Sequence, residues 1–272
     1  HTGTGKFAYV ETKMNEEDKY ISNIFVGKLE EKTVPYTNGK QKNHSPRWSP
    51  CAEKLAFVSD ENEKSQIYLI QANEGVGEQL TYCSNGATNP VWSPCGTKLL
   101  YSSPVAAGSK KEQLAIIDIQ TKEITPLTEG DQNYSNPAFS PDGKYVAYVT
   151  NKEDERDTSL VTDVFIMSIA TKESKQITKS NGDFSTISWS PDGGKIGFIG
   201  HLKEFEPATL NKVWVYDVHS DYLECLSESL DVEVGIGAIG DINPGTVNPG
   251  LMWTTDSEGF YFLVSDQGNN GI

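Results

Sequence analysis

The stretch at 140–148 reads "SPDGKYVAY", and three related stretches recur along the chain: "SPCAEKLAF" at 49–57, "SPCGTKLLY" at 93–101 and "SPDGGKIGF" at 190–198. Each begins with Ser-Pro and ends in apolar or aromatic residues. Two copies place a cysteine where the other two place an aspartate. Two explanations are open at this point. The cysteines form a metal or disulfide pair, or the stretch is a repeated turn that tolerates either residue.

An aromatic residue precedes each Ser-Pro and defines the length of the repeat. These residues are Trp48, Trp92, Phe139 and Trp189, and a looser copy stands at Trp253 in "MWTTDSEGFYF". The successive spacings are 44, 47, 50 and 64 residues. Units of roughly 40 to 50 residues are typical of four-stranded β-propeller blades. The sequence therefore predicts a series of blades, with an insertion in the last interval.

Each unit carries four short runs with the composition of strands. The unit that begins with "NPAFS" continues through "YVAYVT" and "DVFIMSI" to "SKQIT". Runs rich in β-branched and aromatic residues, bounded by Gly, Pro, Asn or Asp, are typical of strands. The middle runs are apolar nearly throughout, which predicts that neighbouring blades cover both faces of each sheet.

The predicted fold class is all-β, a truncated β-propeller of four-stranded antiparallel blades within one domain at 1–272. Complete blades are predicted at about 44–82, 88–128, 135–178 and 184–227, with a loop insertion at 228–250. Partial blades are predicted at 1–37, without a first strand, and at 251–272, with only two strands. Both ends of the chain look cut, so we expect a fragment of a longer polypeptide. Because unpaired sheet edges seek partners, we also expect that it can form oligomers through its open edges.

A repeated turn accounts for the cysteines better than a bond or a metal does. Pro presets φ for a turn, Asp can cap backbone N–H groups and Gly accepts a positive φ. Cys51 and Cys95 fill the Asp position in adjacent blades, where we expect their Cα atoms to exceed the roughly 7 Å limit for a disulfide. No C-x-x-C pair or histidine at ligand spacing accompanies them. We predict four free thiols, Cys51, Cys83, Cys95 and Cys225, in a reducing compartment, the cytoplasm.

Net charge argues against two classes of partner. The chain has 38 acidic and 23 basic residues, a formal charge of −15, and no stretch gathers Lys and Arg into a stripe. A polyanion would be repelled, so neither nucleic acid nor an anionic membrane is a predicted partner. No apolar run approaches the roughly 18 residues of a membrane span, and the first residues lack the apolar core of a signal peptide.

The repeat resembles a known family. The stretches "NPAFSPDGKYVAYVT" and "STISWSPDGGKIGFIG", each followed by an apolar strand, and the endings "QIT" and "PLT" resemble the TolB-type propeller repeat. More particularly, they resemble the non-catalytic propeller of the prolyl oligopeptidase family. The stretch "PAFSPDGKYVAYVTNKEDERDTSLVTDVFIMSIATKESKQIT" and the segment from Asp231 through "GDINPG" to "WTTDSEGFYFLVSDQGNNGI" are most similar to its acylaminoacyl-peptidase-like branch. The resemblance covers essentially the whole chain.

This resemblance implies a serine hydrolase whose Ser, Asp and His lie in a separate α/β-hydrolase domain that follows the propeller. A nucleophile elbow reads G-x-S-x-G between a strand and a helix. This chain contains no such pentapeptide, and its four histidines, His1, His44, His201 and His219, belong to no recognisable triad pattern. We therefore assign no catalytic residue to it.

Other short motifs do not indicate a cofactor or a metal. The stretch "GIGAIG" at 235–240 satisfies G-x-G-x-x-G, but Asp241, Pro244 and Pro249 follow, so no helix begins there to receive a pyrophosphate. The stretch "GTGK" at 3–6 lacks the spacing of a phosphate-binding loop. The glycosylation sequons at Asn43 and Asn133 have meaning only in a secreted protein. We predict no cofactor and no metal ligand.

Two functions remain open. The first is the gating and substrate-selecting propeller of a cytosolic serine peptidase that removes acylated or other blocked residues from short peptides, with an α/β-hydrolase domain of the same polypeptide as its partner. The second is a TolB-like module that docks protein partners and has no hydrolase domain. Substrate contacts would come from the loops at about Leu226 to Leu251 and at 151–160, whose alternative role is that of solvated connections. No individual substrate-binding residue is assigned.

Overall fold

The computed structural model describes residues 4–72, 77–151, 161–205, 209–236, 250–267 and 269–272. Within these ranges every regular element is a β-strand. The same ranges contain no helix that is long and apolar enough to cross a membrane. The chain divides into two compact units, His1–Asp131 and Gln132–Ile272, which are described one after the other.

The first unit contains three antiparallel sheets, in which each strand pairs with the next one along the chain. A three-stranded sheet comprises β1 (Lys6–Met14), β2 (Tyr20–Lys28) and β3 (Val34–Pro35). The second blade comprises β4 (Asn43–Trp48), β5 (Lys54–Asn62), β6 (Lys64–Gln71) and β7 (Gly77–Gln79). The third comprises β8 (Thr88–Trp92), β9 (Lys98–Pro104), β10 (Glu112–Asp118) and β11 (Ile124–Pro126).

The second unit contains two four-stranded blades followed by smaller sheets. The fourth blade comprises β12 (Tyr134–Phe139), β13 (Tyr145–Thr150), β14 (Asp163–Ser168) and β15 (Ser174–Gln176). The fifth comprises β16 (Asp183–Trp189), β17 (Lys195–His201), β18 (Lys212–Asp217) and β19 (Tyr222–Cys225). The last strands are β20 (Glu233–Val234), β21 (Met252–Trp253), β22 (Phe260–Tyr261), β23 (Val264–Asp266) and β24 (Asn269–Gly271).

The predicted fold class is confirmed, with four complete four-stranded blades and smaller ones at each end of the chain. The second strand of each complete blade is buried over at least four consecutive residues. In the second unit, Ala147 and Val149 of β13 share a core cluster with Phe184 and Phe198 of the next blade. The buried residues of the middle strands are largely apolar because neighbouring sheets within each unit pack against them.

A β-bulge recurs in the first strand of every complete blade. In the fourth blade the register shifts between Ser135 and Ala138, so two residues of β12 lie opposite the single residue Tyr148. The first bulged residue adopts a φ of 49° to 53° in all four blades, at Ser45, Asn89, Asn136 and Thr186. The residues opposite the bulges are buried aromatics, Phe57, Tyr101, Tyr148 and Phe198.

The last blade has a break between β20 and β21 at this same bulge position. Val234 pairs with Val264, and Trp253 pairs with Phe260, so β20 and β21 act as two halves of one first strand. Gly250 has a φ of 67°, similar to the bulged residues of the other blades. The blade therefore begins at Glu233, within the 228–250 stretch that the sequence analysis assigns to an insertion.

The repeated aromatic residue also links neighbouring blades of one unit. A tryptophan Nε1 donates to the carbonyl that directly precedes the repeated aromatic of the previous blade. The three bonds are Trp92 to Arg47 at 2.9 Å, Trp189 to Ala138 at 3.2 Å and Trp253 to Ser188 at 3.3 Å. Tryptophan recurs at this position because its ring fills the core and its N–H also satisfies a backbone acceptor.

Candidate functional site

One end of each complete blade holds the Ser-Pro turn, whose geometry is nearly constant. The turn serine is buried, and its hydroxyl accepts a hydrogen bond from the backbone N–H five residues later at 2.8 to 3.1 Å. The same hydroxyl faces the side chain two residues later. In the last blade Thr254 takes the place of serine and accepts from the N–H of Gly259 at 3.0 Å.

This geometry explains the exchange of cysteine and aspartate. In the two aspartate copies the serine hydroxyl donates to Asp142 or Asp192 at 2.6 Å. In the other two copies the sulfur of Cys51 or Cys95 lies 3.4 or 3.3 Å from the hydroxyl. The thiol therefore occupies the position of the carboxylate in the same turn. The prediction that cysteine substitutes for aspartate in a repeated turn is confirmed.

The four cysteines, all within the described ranges, are free thiols, but their environments differ. Hydrogen bonds from Ser93 and Thr97 lower the pKa of Cys95 to about 7. The Thr97 Oγ1 lies 3.0 Å from the Cys95 Sγ, and the cysteine is exposed to solvent. Burial instead raises the pKa of Cys225. Cys95 is therefore the thiol with marked thiolate character near neutral pH.

A cleft of about 870 Å³ extends from the β17–β18 connection along β19, the outer strand of the fifth blade. Its volume lies in the range of ligand sites. Three chain segments form its walls: the connection after β17, the strands β18 and β19, and the chain that follows β19. We call this feature the β19 cleft and treat it as the candidate functional site.

Aromatic side chains form one wall of the β19 cleft. Trp214 is fixed by its Nε1, which donates to the Gly200 carbonyl at 3.0 Å, and by an edge contact with Phe184 at 5.9 Å between ring centroids. Phe205 and Tyr222 are 72% and 59% exposed. Since large aromatic residues are usually buried, two accessible rings beside an ordered indole are suited to contact a ligand.

Carboxylates dominate the charge of the β19 cleft. Four carboxylates line it, those of Glu204, Glu224, Glu228 and Asp231. Within the described ranges none of these four side chains has an ion-pair or hydrogen-bond partner. Lys212 also lines the cleft, and its Nζ donates to the Leu230 carbonyl. The site is therefore negative and partly apolar, a combination that favours a cation on an apolar stem.

Only part of this site was predicted from the sequence. Glu228 and Asp231 fall in the predicted stretch from Leu226 to Leu251, whereas Phe205, Trp214 and Tyr222 were missed. Half of that stretch, 237–249, lies outside the described residues, as does 152–160 of the other predicted loop. Of "GIGAIG", only Gly235 and Ile236 are described, and the Gly235 N–H donates to the Leu263 carbonyl. The sequence signal that could have indicated the missed residues was an aromatic residue, Phe205, at the end of the polar stretch "HLKEF".

The described histidines occupy separate structural positions. His44 lies on β4, His201 ends β17 and His219 follows β18. The His44 Nδ1 lies 2.9 Å from the hydroxyl of Ser45, its neighbour in the bulge. No group of three His, Cys, Asp or Glu side chains in the described ranges could hold a metal ion.

Comparisons with known proteins divide the chain between two propeller families. Residues 2–109 match the TolB β-propeller domain, and residues 108–228 match the N-terminal β-propeller domain of acylaminoacyl-peptidase. The chain is 39% identical over 303 aligned positions to the uncharacterized peptidase YuxL of Bacillus subtilis. That alignment covers 97% of this chain and 46% of YuxL, so the chain spans about half the length of this curated relative.

Solved structures with the same fold include a peptidase and a TolB protein. The acylaminoacyl peptidase of Pyrococcus horikoshii superposes with a TM-score of 0.70 at 18% identity, over 98% of this chain and 42% of that one. TolB of Acinetobacter baumannii gives a TM-score of 0.65 at 20% identity, over 98% of this chain and 65% of that one. Identities this low establish the fold alone.

Proposed function

We propose that this chain, whose residues 2–109 and 108–228 match the TolB and acylaminoacyl-peptidase N-terminal β-propeller domains, is the non-catalytic propeller of a serine peptidase of the prolyl oligopeptidase family. In this role it admits short peptides, including acylated ones, to an α/β-hydrolase domain of the same polypeptide and keeps folded proteins away from the nucleophile. The proposed location is the cytoplasm, where free thiols persist.

The observation that carries this proposal is the similarity to YuxL, a relative named as a peptidase, along nearly the whole of this chain. YuxL and the acylaminoacyl peptidase of Pyrococcus horikoshii are both more than twice as long as the matched region, because the chain covers 46% and 42% of them. The absence of a G-x-S-x-G stretch in this chain agrees with a division of labour in which another domain supplies the nucleophile.

A second candidate function is a TolB-like module that binds a protein partner and has no hydrolase domain. The match of residues 2–109 to the TolB β-propeller domain and the superposition on TolB of Acinetobacter baumannii favour it. The two candidates differ in what the complete gene encodes. A hydrolase domain with a nucleophile elbow is required by the first and absent from the second.

The experiment is to read the gene beyond Ile272, express the complete polypeptide and assay blocked peptides of increasing length. We expect hydrolysis of acetylated short peptides, loss of it when the elbow serine is replaced by alanine, and little cleavage of an unfolded protein substrate. We expect this chain alone to be inactive, because its sequence contains neither a G-x-S-x-G elbow nor a recognisable triad pattern. A stop codon after Ile272, or equal cleavage of short and long substrates, would contradict the proposal.

A further inference from the structure

We propose that the β19 cleft binds a peptide segment through a lysine or arginine side chain. The carboxylates contact the cationic group, and the aromatic wall packs against the apolar stem. This site does not depend on the peptidase function proposed above, because it lies on the outer strand of a blade and needs no catalytic domain.

The charge of the cleft selects the class of ligand. Four carboxylates surround it, whereas its lysine, Lys212, already donates to the Leu230 carbonyl. None of the four carboxylates is neutralised by another side chain within the described ranges. Like charges gathered along one cleft raise the local concentration of an oppositely charged ligand, so a cationic group is the complementary occupant.

The aromatic wall indicates that the cationic group of the ligand is carried on an apolar stem. Phe205 and Tyr222 expose most of their ring surface, and Trp214 presents an indole that the chain itself holds in place. Lysine and arginine pack their methylene groups against apolar surface and place their charge over aromatic faces. A small inorganic cation would leave this wall uncovered.

The fifth blade already contacts a lysine beside the start of β19. Lys175, from the outer strand of the fourth blade, lies with its Nζ 5.7 Å from the centroid of the Tyr216 ring. The same Nζ lies 2.9 Å from the Asp221 carboxylate and 3.0 Å from the Tyr216 hydroxyl. An aromatic ring and a carboxylate of this blade thus already contact a lysine side chain.

The second blade shows what the β19 cleft lacks. Glu78 on β7 pairs with Leu69 of the third strand, as Glu224 on β19 pairs with Val215, so the two glutamates occupy equivalent positions in their blades. Glu78 forms an ion pair with Lys122 at 3.2 Å. Glu224 has no such partner among the described residues, and we infer that the ligand supplies the missing cation.

The test is isothermal titration calorimetry with this chain and a short peptide, acetylated and amidated at its ends, that contains one arginine between alanine and phenylalanine residues. The reference ligand is the same peptide with citrulline, an uncharged analogue of arginine. We expect saturable binding of the arginine peptide, weakened by about tenfold with citrulline. Absence of saturable binding by the unmodified chain would overturn the proposal.

Two double variants separate a built site from general attraction to an acidic protein. E224Q/E228Q removes two cleft carboxylates, whereas E78Q/E123Q makes the same change of net charge in the first unit, on β7 and directly before β11. We expect the first to weaken binding by about tenfold and the second to leave it unchanged. Equal weakening by both variants would mean that the peptide responds only to net charge, and the site would be rejected. Circular dichroism of each variant verifies that its strands remain folded.

Discussion

At the scale of a single residue, Cys95 is the thiol that we expect to react fastest. Hydrogen bonds from Ser93 and Thr97 lower its pKa to about 7, and it is exposed. Because the thiolate is the nucleophile, its alkylation rate should rise through neutral pH and level off at a lower pH than that of an ordinary thiol. Iodoacetamide labelling at a series of pH values, followed by mass spectrometry of the tryptic peptides, measures the rate for each cysteine.

The internal reference for this experiment is Cys225, whose pKa is raised mainly by burial. A Thr97→Val variant should shift the Cys95 profile to higher pH, because it removes one of the hydrogen-bond donors to the sulfur. Identical pH profiles for Cys95 and Cys225 would contradict the prediction. The sequence predicted that Cys95 lies in a turn. The contacts of the Ser93 and Thr97 hydroxyls that lower its pKa depend on the geometry of the folded turn and were not predicted.

At the scale of an element, the Ser-Pro turn depends on its buried hydroxyl. Ser140→Ala removes the acceptor for the Tyr145 N–H and the donor to Asp142. We expect a loss of about 1 kcal/mol in the free energy of unfolding, because the partly buried Tyr145 N–H and the Asp142 carboxylate each lose a hydrogen bond. Chemical denaturation measures it. The matched control is Asp142→Cys, which introduces the residue of the second and third blades and should cost less; a larger loss for the control would refute this view of the turn.

The aspartates of these turns should also make stability depend on pH. Serine hydroxyls and backbone N–H groups hold the pKa of Asp142 and of Asp192 below its ordinary value. Since the folded-state pKa lies below the unfolded one, the contribution is present above the unfolded value, about 4, and is lost as pH falls through the folded value. Urea midpoints measured on acidification should fall less in D142N/D192N than in the unmodified chain. If the urea midpoints of the variant and the unmodified chain fall equally with pH, the predicted contribution of the two aspartates is wrong.

The elements themselves were largely predictable from the sequence, and the exceptions have physical causes. The middle strands were predicted correctly because their buried residues are largely apolar. In the last blade, the division of the first strand into β20 and β21 was not predicted, because Glu233–Val234 is too short to form a recognisable run. The β19 cleft was only partly predicted, because its walls come from segments whose proximity depends on how β17, β18 and β19 align.

At the scale of the whole molecule, we expect the end sheets to open more readily than the complete blades. β1 is an edge strand that pairs only with β2, and its side chains are half-buried or exposed. β13 and β17 each pair on both sides and are buried almost throughout. Hydrogen exchange should therefore be faster for the amides of 7–10 and 260–264 than for those of 145–149 and 195–199.

Exchange followed by mass spectrometry at low protein concentration tests this expectation, because dilution limits pairing between the edges of different chains. Equal protection of all four stretches in a monomer would mean that the end sheets are stabilised as strongly as the complete blades. The order of blades was predictable from the repeat of the Ser-Pro turn, whereas the relative stability of the sheets follows from burial and pairing that the repeat alone does not specify.

The first-strand bulge has a consequence for how such chains diversify and how they can be engineered. The ladder is already interrupted there, so extra residues can be inserted without breaking a pairing that the blade relies on. In the last blade, β20 and β21 are separated in the sequence at the equivalent position. Asn136 is the equivalent position in the fourth blade. A foreign segment grafted at Asn136 should be tolerated, whereas the same graft at Val146, within the uninterrupted second strand, should abolish soluble expression. Each copy of a duplicated repeat would therefore contain its own position at which an insertion is tolerated, and each copy could acquire a separate loop there.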